Sequence, residues 1–150
     1  MKIKTSVLTG PALDWAVAKC EGRGLQRNPM GAQGGHGWWI WEETPSGKGG
    51  ILIDKSVYME IGPHTQPKTR NSGDRYSPST DWAQGGLIID NNPRIVPTYD
   101  ERFDSWFAYK QSPALYGKQS FLVSAMRAYV ASKLGDTVDI PDELFKGNKC

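Results

Sequence analysis

"GWWIWEETPSGKGGILIDKSVYME", residues 37 to 60, is the stretch that decides the fold. Its halves, "GWWIWEE" and "GILIDKSVYME", are rich in β-branched and aromatic side chains and are bounded by turn formers, the pattern of strands. The intervening "TPSGKGG" carries the chemistry of a hairpin turn. Strands joined so closely run antiparallel, because a parallel pair needs a crossover that is missing here. Within the first strand, Trp39 and Trp41 point to one face and Trp38 and Ile40 to the other. One set enters the core. The other meets a helix, solvent or a ligand, and aromatic planes suit stacking on ring ligands.

Further strands are expected downstream. "GLIID" and "RIVPTY" flank the turn signal "NNP", "RFDSWFAYK" is the next candidate, and "QSPALYGK" reads as an irregular bridge. Helices lie on both sides of this region. In "TGPALDWAVAKCEG", Thr9 is placed to cap, Pro11 fits a first turn, and Gly22 offers the left-handed stop. Leu13, Ala16, Val17 and Cys20 recur at i, i+3, i+4 and i+7, with Trp15 at the stripe's edge. In "QSFLVSAMRAYVASKLG", Ser120 caps, Gly135 ends, and Leu122, Ala125, Met126, Tyr129 and Val130 form the buried face. Small residues at 125, 128 and 131 permit close approach to a sheet. "MKIKTSVL" opens as an extended arm, and "DTVDIPDELF" closes as an extended segment, a break at Pro141 and a half-turn. The fold class is therefore α+β: an antiparallel sheet of about four to five strands with an N-terminal and a C-terminal helix packed on it, a layered sandwich. The chain is read as one domain, 1–150, with long loops at 22–37 and 62–86.

Composition removes several function classes. Eighteen Lys and Arg against sixteen Asp and Glu leave a net charge of +2, too weak a field for nonspecific nucleic-acid binding. The one basic run, Lys68, Arg70 and Arg75, is diluted by Asp74 and reads as solvated loop. Two cysteines, Cys20 and Cys150, make no disulfide framework. No signal peptide or membrane span is recognisable, so a soluble cytoplasmic protein without membrane partners is expected. No dinucleotide or P-loop fingerprint occurs, and "SGKGG" sits between two strands as a turn. His36 and His64 lie far apart, without the companions of a metal centre, a triad or a two-histidine phosphoesterase. No catalytic residue, metal or cofactor is assigned, and the chain is read as non-enzymatic.

"RYSPSTDWAQGG", residues 75 to 86, is the candidate binding loop. Asp81 and Gln84 stand at capping-box spacing, so "DWAQ" can begin a helical turn whose N–H groups hold phosphate or carboxylate oxygens. Ser77, Ser79 and Thr80 add hydroxyls, Arg75 adds a cationic fork, and Tyr76 and Trp82 are placed to wall a pocket. Asp81 is available to a ribose hydroxyl or an amine. Gly85 and Gly86 admit close backbone approach. The competing reading is a self-satisfied loop, with hydroxyls bonded to its own backbone and both aromatics anchored in the core.

Three blocks, "MKIKTSVLTGPALDWAVAKCEG", "YSPSTDWAQGG" and "AMRAYVASKLGDTVDIPDEL", resemble the NinX-like proteins of temperate tailed phages of enteric bacteria, in the family's order. The resemblance implies a small accessory protein made in the host cytoplasm, with a helix–sheet–helix fold and no assigned reaction. Two functions follow as expectations. The first is sequestration of a small polar or nucleotide-derived ligand to counter host defence, in a monomer or between the subunits of a homo-oligomer. The alternative is an interaction module that docks on a host or phage protein through exposed aromatics.

Overall fold

The computed structural model describes residues 1–31, 34–53, 55–64, 66–71, 75–92, 95, 98–102, 105–107 and 121–146. The Ser120 cap, the bridge at 111–118 and Cys150 lie outside these residues. The chain divides into two compact units, Glu21–Tyr76 and Met1–Cys20 with Ser77–Cys150.

The Glu21–Tyr76 unit is a five-stranded antiparallel meander in the order β2 (Leu25–Arg27), β3 (Trp38–Thr44), β4 (Gly47–Leu52), β5 (Val57–Ile61) and β6 (Lys68–Asn71). The β3–β4 hairpin is the one expected: Thr44 faces Gly47 across a two-residue turn. The run at 50–60, expected as one strand, is two, and Ile51 pairs with Tyr58. The polar Lys55 and Ser56 stand at the turn that separates the two strands. Both edge strands, β2 and β6, come from segments read as loop. Their sequences, "LQR" and "KTRN", carry no apolar pattern because an edge strand needs ladder bonds and little burial.

Alternation sorts the side chains as predicted. Trp39 and Trp41 share one face with Met59 in a buried cluster, flanked by Met30, Leu52, Val57 and Ile61. The two indoles meet edge to face with centroids 6.3 Å apart, and Trp39 Nε1 donates to the Gly35 carbonyl at 3.0 Å. Gly50 stands between Trp41 and Met59 in the register. A Cβ there would run into the Ile40 carbonyl, so this position admits no side chain.

The other unit holds α1 (Gly10–Cys20), α2 (Trp82–Asp90), α3 (Phe121–Leu134) and the short α4 (Asp142–Lys146). Strand β1 (Lys2–Lys4) pairs antiparallel with β9 (Thr137–Asp139), placing Ile3 opposite Val138, and β7 (Thr98–Asp100) pairs with β8 (Ser105–Phe107). The stripes of both long helices are buried much as the spacing predicts: Leu13, Ala16 and Val17 on α1, and Leu122, Ala125, Met126, Tyr129 and Val130 on α3. Cys20 of the α1 stripe is half-buried. The helices meet each other: α1 packs on α3, α2 on α3 and α4 on α1. Gly22 and Gly135 take the left-handed backbone expected of helix stops.

One strand assignment is corrected. "GLIID" is not a strand but the second half of α2. Helical spacing buries Gly85 and Ile88 and leaves Leu87 exposed, and Gly85 sits against the Pro78 carbonyl and Leu122. Tertiary contact there overrides the β preference of two adjacent isoleucines. The strand candidates at 94–99 and 102–110 contribute β7 and β8, a two-stranded ladder of their own.

Replacing Gly50 by Ala should destabilise the protein by about 2 kcal/mol or more, as overpacking against backbone does. Denaturant unfolding followed by tryptophan fluorescence measures it; an unchanged midpoint would contradict the packing described.

Candidate functional site

The loop at 75–86 is closed on itself. Asp81 caps α2: its Oδ1 accepts from the Ala83 N–H at 2.9 Å and its Oδ2 from Gln84 Nε2 at 3.0 Å. Gln84 does not complete the capping box at Asp81. Its Oε1 instead accepts from the Ser77 N–H at 2.9 Å. The N–H groups of Thr80 and Asp81 both donate to the Ser77 carbonyl, at 3.0 and 2.8 Å. Ser79 is fully buried, and its N–H donates at 3.0 Å to Oδ1 of Asp14, a carboxylate buried in α1. Ser77 is buried too. Among these residues Thr80 is exposed, Trp82 is 59% exposed and stacks on Phe121 at 5.1 Å, and the Ser79 hydroxyl has no hydrogen-bond partner.

The eight candidate residues therefore separate. Ser77, Ser79, Thr80, Asp81, Trp82 and Gln84 belong to the helical unit, where the amides expected to face a ligand bond to Asp14, Ser77, Asp81 and Gln84. Arg75 and Tyr76 belong to the sheet unit. Arg75 is exposed, while Tyr76 is half-buried beneath Arg23, whose guanidinium carbon lies 5.8 Å from the ring centroid.

Tyr76 brings into view a site built from the sheet. Opposite the tryptophan face, the register runs Leu25, Ile40, Ile51, Tyr58 and Arg70 in one row, and Glu42, Gly49, Glu60 and Lys68 in the next. Gly49 leaves a gap between two carboxylates. A hollow of about 170 Å³ opens over Gly49 and Gly50, walled by Tyr58, Tyr76, Arg23 and Glu42. A second, of about 240 Å³, lies on the far side of Tyr58 against Glu60, Lys68 and Arg70. Each is smaller than the roughly 300 Å³ of typical small-molecule pockets, and Tyr58 lines both.

The walls are braced. Arg23 grips Glu42 with two bonds of 2.6 and 3.2 Å, and the Gly24 N–H adds a third at 3.3 Å. The hydrogen bond from Arg23 holds the Glu42 carboxyl below its ordinary range, and Glu42 raises Arg23 in return. Arg70 stacks over Tyr58 at 4.5 Å, and the Tyr58 hydroxyl gives Glu60 a long bond of 3.4 Å. Thr44 Oγ1, at the rim of the first hollow, is buried without a partner.

Apart from Tyr76, sequence reading missed this constellation. The signal was present: two adjacent glycines inside a strand mark a place where something else approaches the backbone. Alternation from Trp39 would then have put Glu42, Tyr58 and Glu60 on the same open face. His36 and His64 are exposed, and no group of three or more metal-ligating side chains occurs among the described residues.

Two substitutions check these assignments. The Glu42 carboxyl is lowered in the folded state, so its contribution is complete above its unfolded value of about 4.3 and disappears as pH falls through the folded one. Glu42→Gln should therefore flatten the acid limb of a stability-versus-pH curve; an unaltered limb would contradict the brace. Asp81→Ala should cost about 1 kcal/mol, the worth of a cap, in thermal unfolding. No loss would mean that Asp81 is not committed to α2.

Among the described residues no helix is long and apolar enough to cross a membrane. No curated protein matches the chain. A family model does, the one described as Bacteriophage P22, NinX, over residues 4–133, which takes in α1, the five-stranded sheet, the capped loop with α2 and all but the last residue of α3. The chain belongs to the Bacteriophage P22 NinX family and is a phage accessory protein of that kind.

Proposed function

We propose that this accessory protein is non-enzymatic and works by binding and sequestering a small polar ligand on the open face of its sheet. The paired hollows beside Tyr58 carry the reading. The first is lined by the backbone of Gly49 and Gly50 with Tyr58, Tyr76 and Arg23, and the second by Tyr58 with Glu60, Lys68, Thr69 and Arg70. Ligand sites combine such ring surfaces with a few convergent polar groups. The groups gathered there are braces, rings and exposed charges, a set suited to holding a polar guest. Withdrawing a host small molecule would serve the phage by blunting host defence.

A second reading rests on α2. Trp82 and Leu87 are 59% and 65% exposed, and Trp82 is stacked on Phe121, an apolar patch of the kind that anchors protein partners. In that reading the sheet hollows are incidental.

Gly49→Val separates the two. A Cβ at Gly49 would meet the Tyr58 hydroxyl at 2.7 Å, the Met59 carbonyl at 3.0 Å and the Glu60 Cβ at 3.2 Å, so a side chain there fills the hollow once Tyr58 swings aside and its neighbours give by a few tenths of an ångström. Native mass spectrometry after incubation with a small-molecule extract of the host should show an adduct on the wild type and none on Gly49→Val, with circular dichroism unchanged. A wild type that acquires no adduct, or a variant that keeps it, would contradict ligand capture at this face.

A further inference from the structure

We infer that the ligand of this sheet face is a nucleoside phosphate, its base over Gly49 and Gly50, its sugar at Glu60 and its phosphate at Lys68 and Arg70. The inference rests on the sheet-face reading and adds to it the class of molecule. Three kinds of chemistry lie in order across the three strands β4, β5 and β6. At the β6 edge, Lys68 and Arg70 are exposed, and neither joins an ion pair among the described residues. Register places them beside Glu60 and Tyr58 respectively. Two cations so spaced suit one phosphate, with the guanidinium able to bond two oxygens. Inward lies Glu60, whose carboxylate is met by the long bond from Tyr58 and retains capacity for the hydroxyls of a sugar. Beyond Tyr58 lies the first hollow, with tyrosines at 58 and 76, the apolar side chains of Ile40 and Ile51, and no side chain at Gly49 or Gly50. Stacking on tyrosine favours a base there, and the buried, unpartnered Thr44 hydroxyl borders that end.

Simpler ligands leave part of this set unexplained. An inorganic anion needs neither rings nor Glu60. An apolar ring has no use for the cations. A cationic amine would meet Arg23 and Arg70, which already lie over the two rings. A nucleic-acid strand would bring several phosphates against Glu42, Glu43 and Glu60, which argues for a single nucleotide unit.

Calorimetric titration of the full chain with adenosine 5′-monophosphate, guanosine 5′-monophosphate, adenosine and inorganic phosphate tests the inference. At least one monophosphate should bind. Adenosine should bind about tenfold or more weakly than its monophosphate, the worth of one charge-assisted contact, and phosphate alone should give no heat. The double variant Lys68→Ala/Arg70→Ala should bring the monophosphate down to the nucleoside's affinity. Equal affinity for adenosine and its monophosphate, an unaffected double variant, or no binding of either monophosphate would each overturn the inference. If neither monophosphate binds while the host-extract adduct forms on the wild type and is lost in Gly49→Val, the ligand class is wrong and the sheet-face reading survives. If the adduct is also missing, both fall.

Discussion

A pair of glycines in the middle of β4 shapes both faces of the sheet. Alternation sends Gly50 toward the tryptophan face, where it sits between Trp41 and Met59 with no room for a side chain. The next residue back, Gly49, faces the other way, in line with Glu42 and Glu60. One side of the dipeptide closes a core and the other opens a hollow. Because side chains alternate strictly along a strand, neither effect can be had without fixing the register of the whole hairpin. The two-residue turn that sets Thr44 against Gly47 supplies that register.

The capped loop at 77–84 shows how composition misleads. Hydroxyls, an acid and an amide so close together suggest a surface prepared for a polar guest. The same groups also suit the interior of a tight turn leading into a helix, where orphan N–H groups must be satisfied. The decisive partner is Asp14, a carboxylate at a buried position of α1, distant in sequence and unreadable from the loop itself. A charged residue in the apolar stretch "PALDWAVA" was the only hint of that tie. Buried Arg127, whose Nε donates to the Leu8 carbonyl at 2.7 Å, is a similar case on α3. Both charges join segments far apart in the chain.

Much of the architecture was legible because it rests on local periodicity. The helical stripes at Leu13–Val17 and Leu122–Val130, their glycine stops, and the split of Trp39 and Trp41 from Ile40 all follow from spacing alone. What stayed hidden depends on pairing between distant segments. Edge strands β2 and β6 are polar but for Leu25 and hold their shape through ladder bonds to β3 and β5. "GLIID" has strand composition and became helix because Asp81 starts one ahead of it. Of the candidate loop, Tyr76 alone reached the sheet site; its companions are Arg23, ahead of β2, and Tyr58 and Glu60 on β5. Membership of the NinX family was legible in the three quoted blocks, and the matched region extends it across the sheet.

The most direct test of the account is a map of amide shifts in ¹⁵N-labelled protein as the host small-molecule extract is added. The account predicts perturbations gathered at Gly49, Gly50, Tyr58, Glu60 and Tyr76, with the amides of Ser77 to Gln84 undisturbed. Shifts centred on the capped loop, or a spectrum that does not respond, would contradict it.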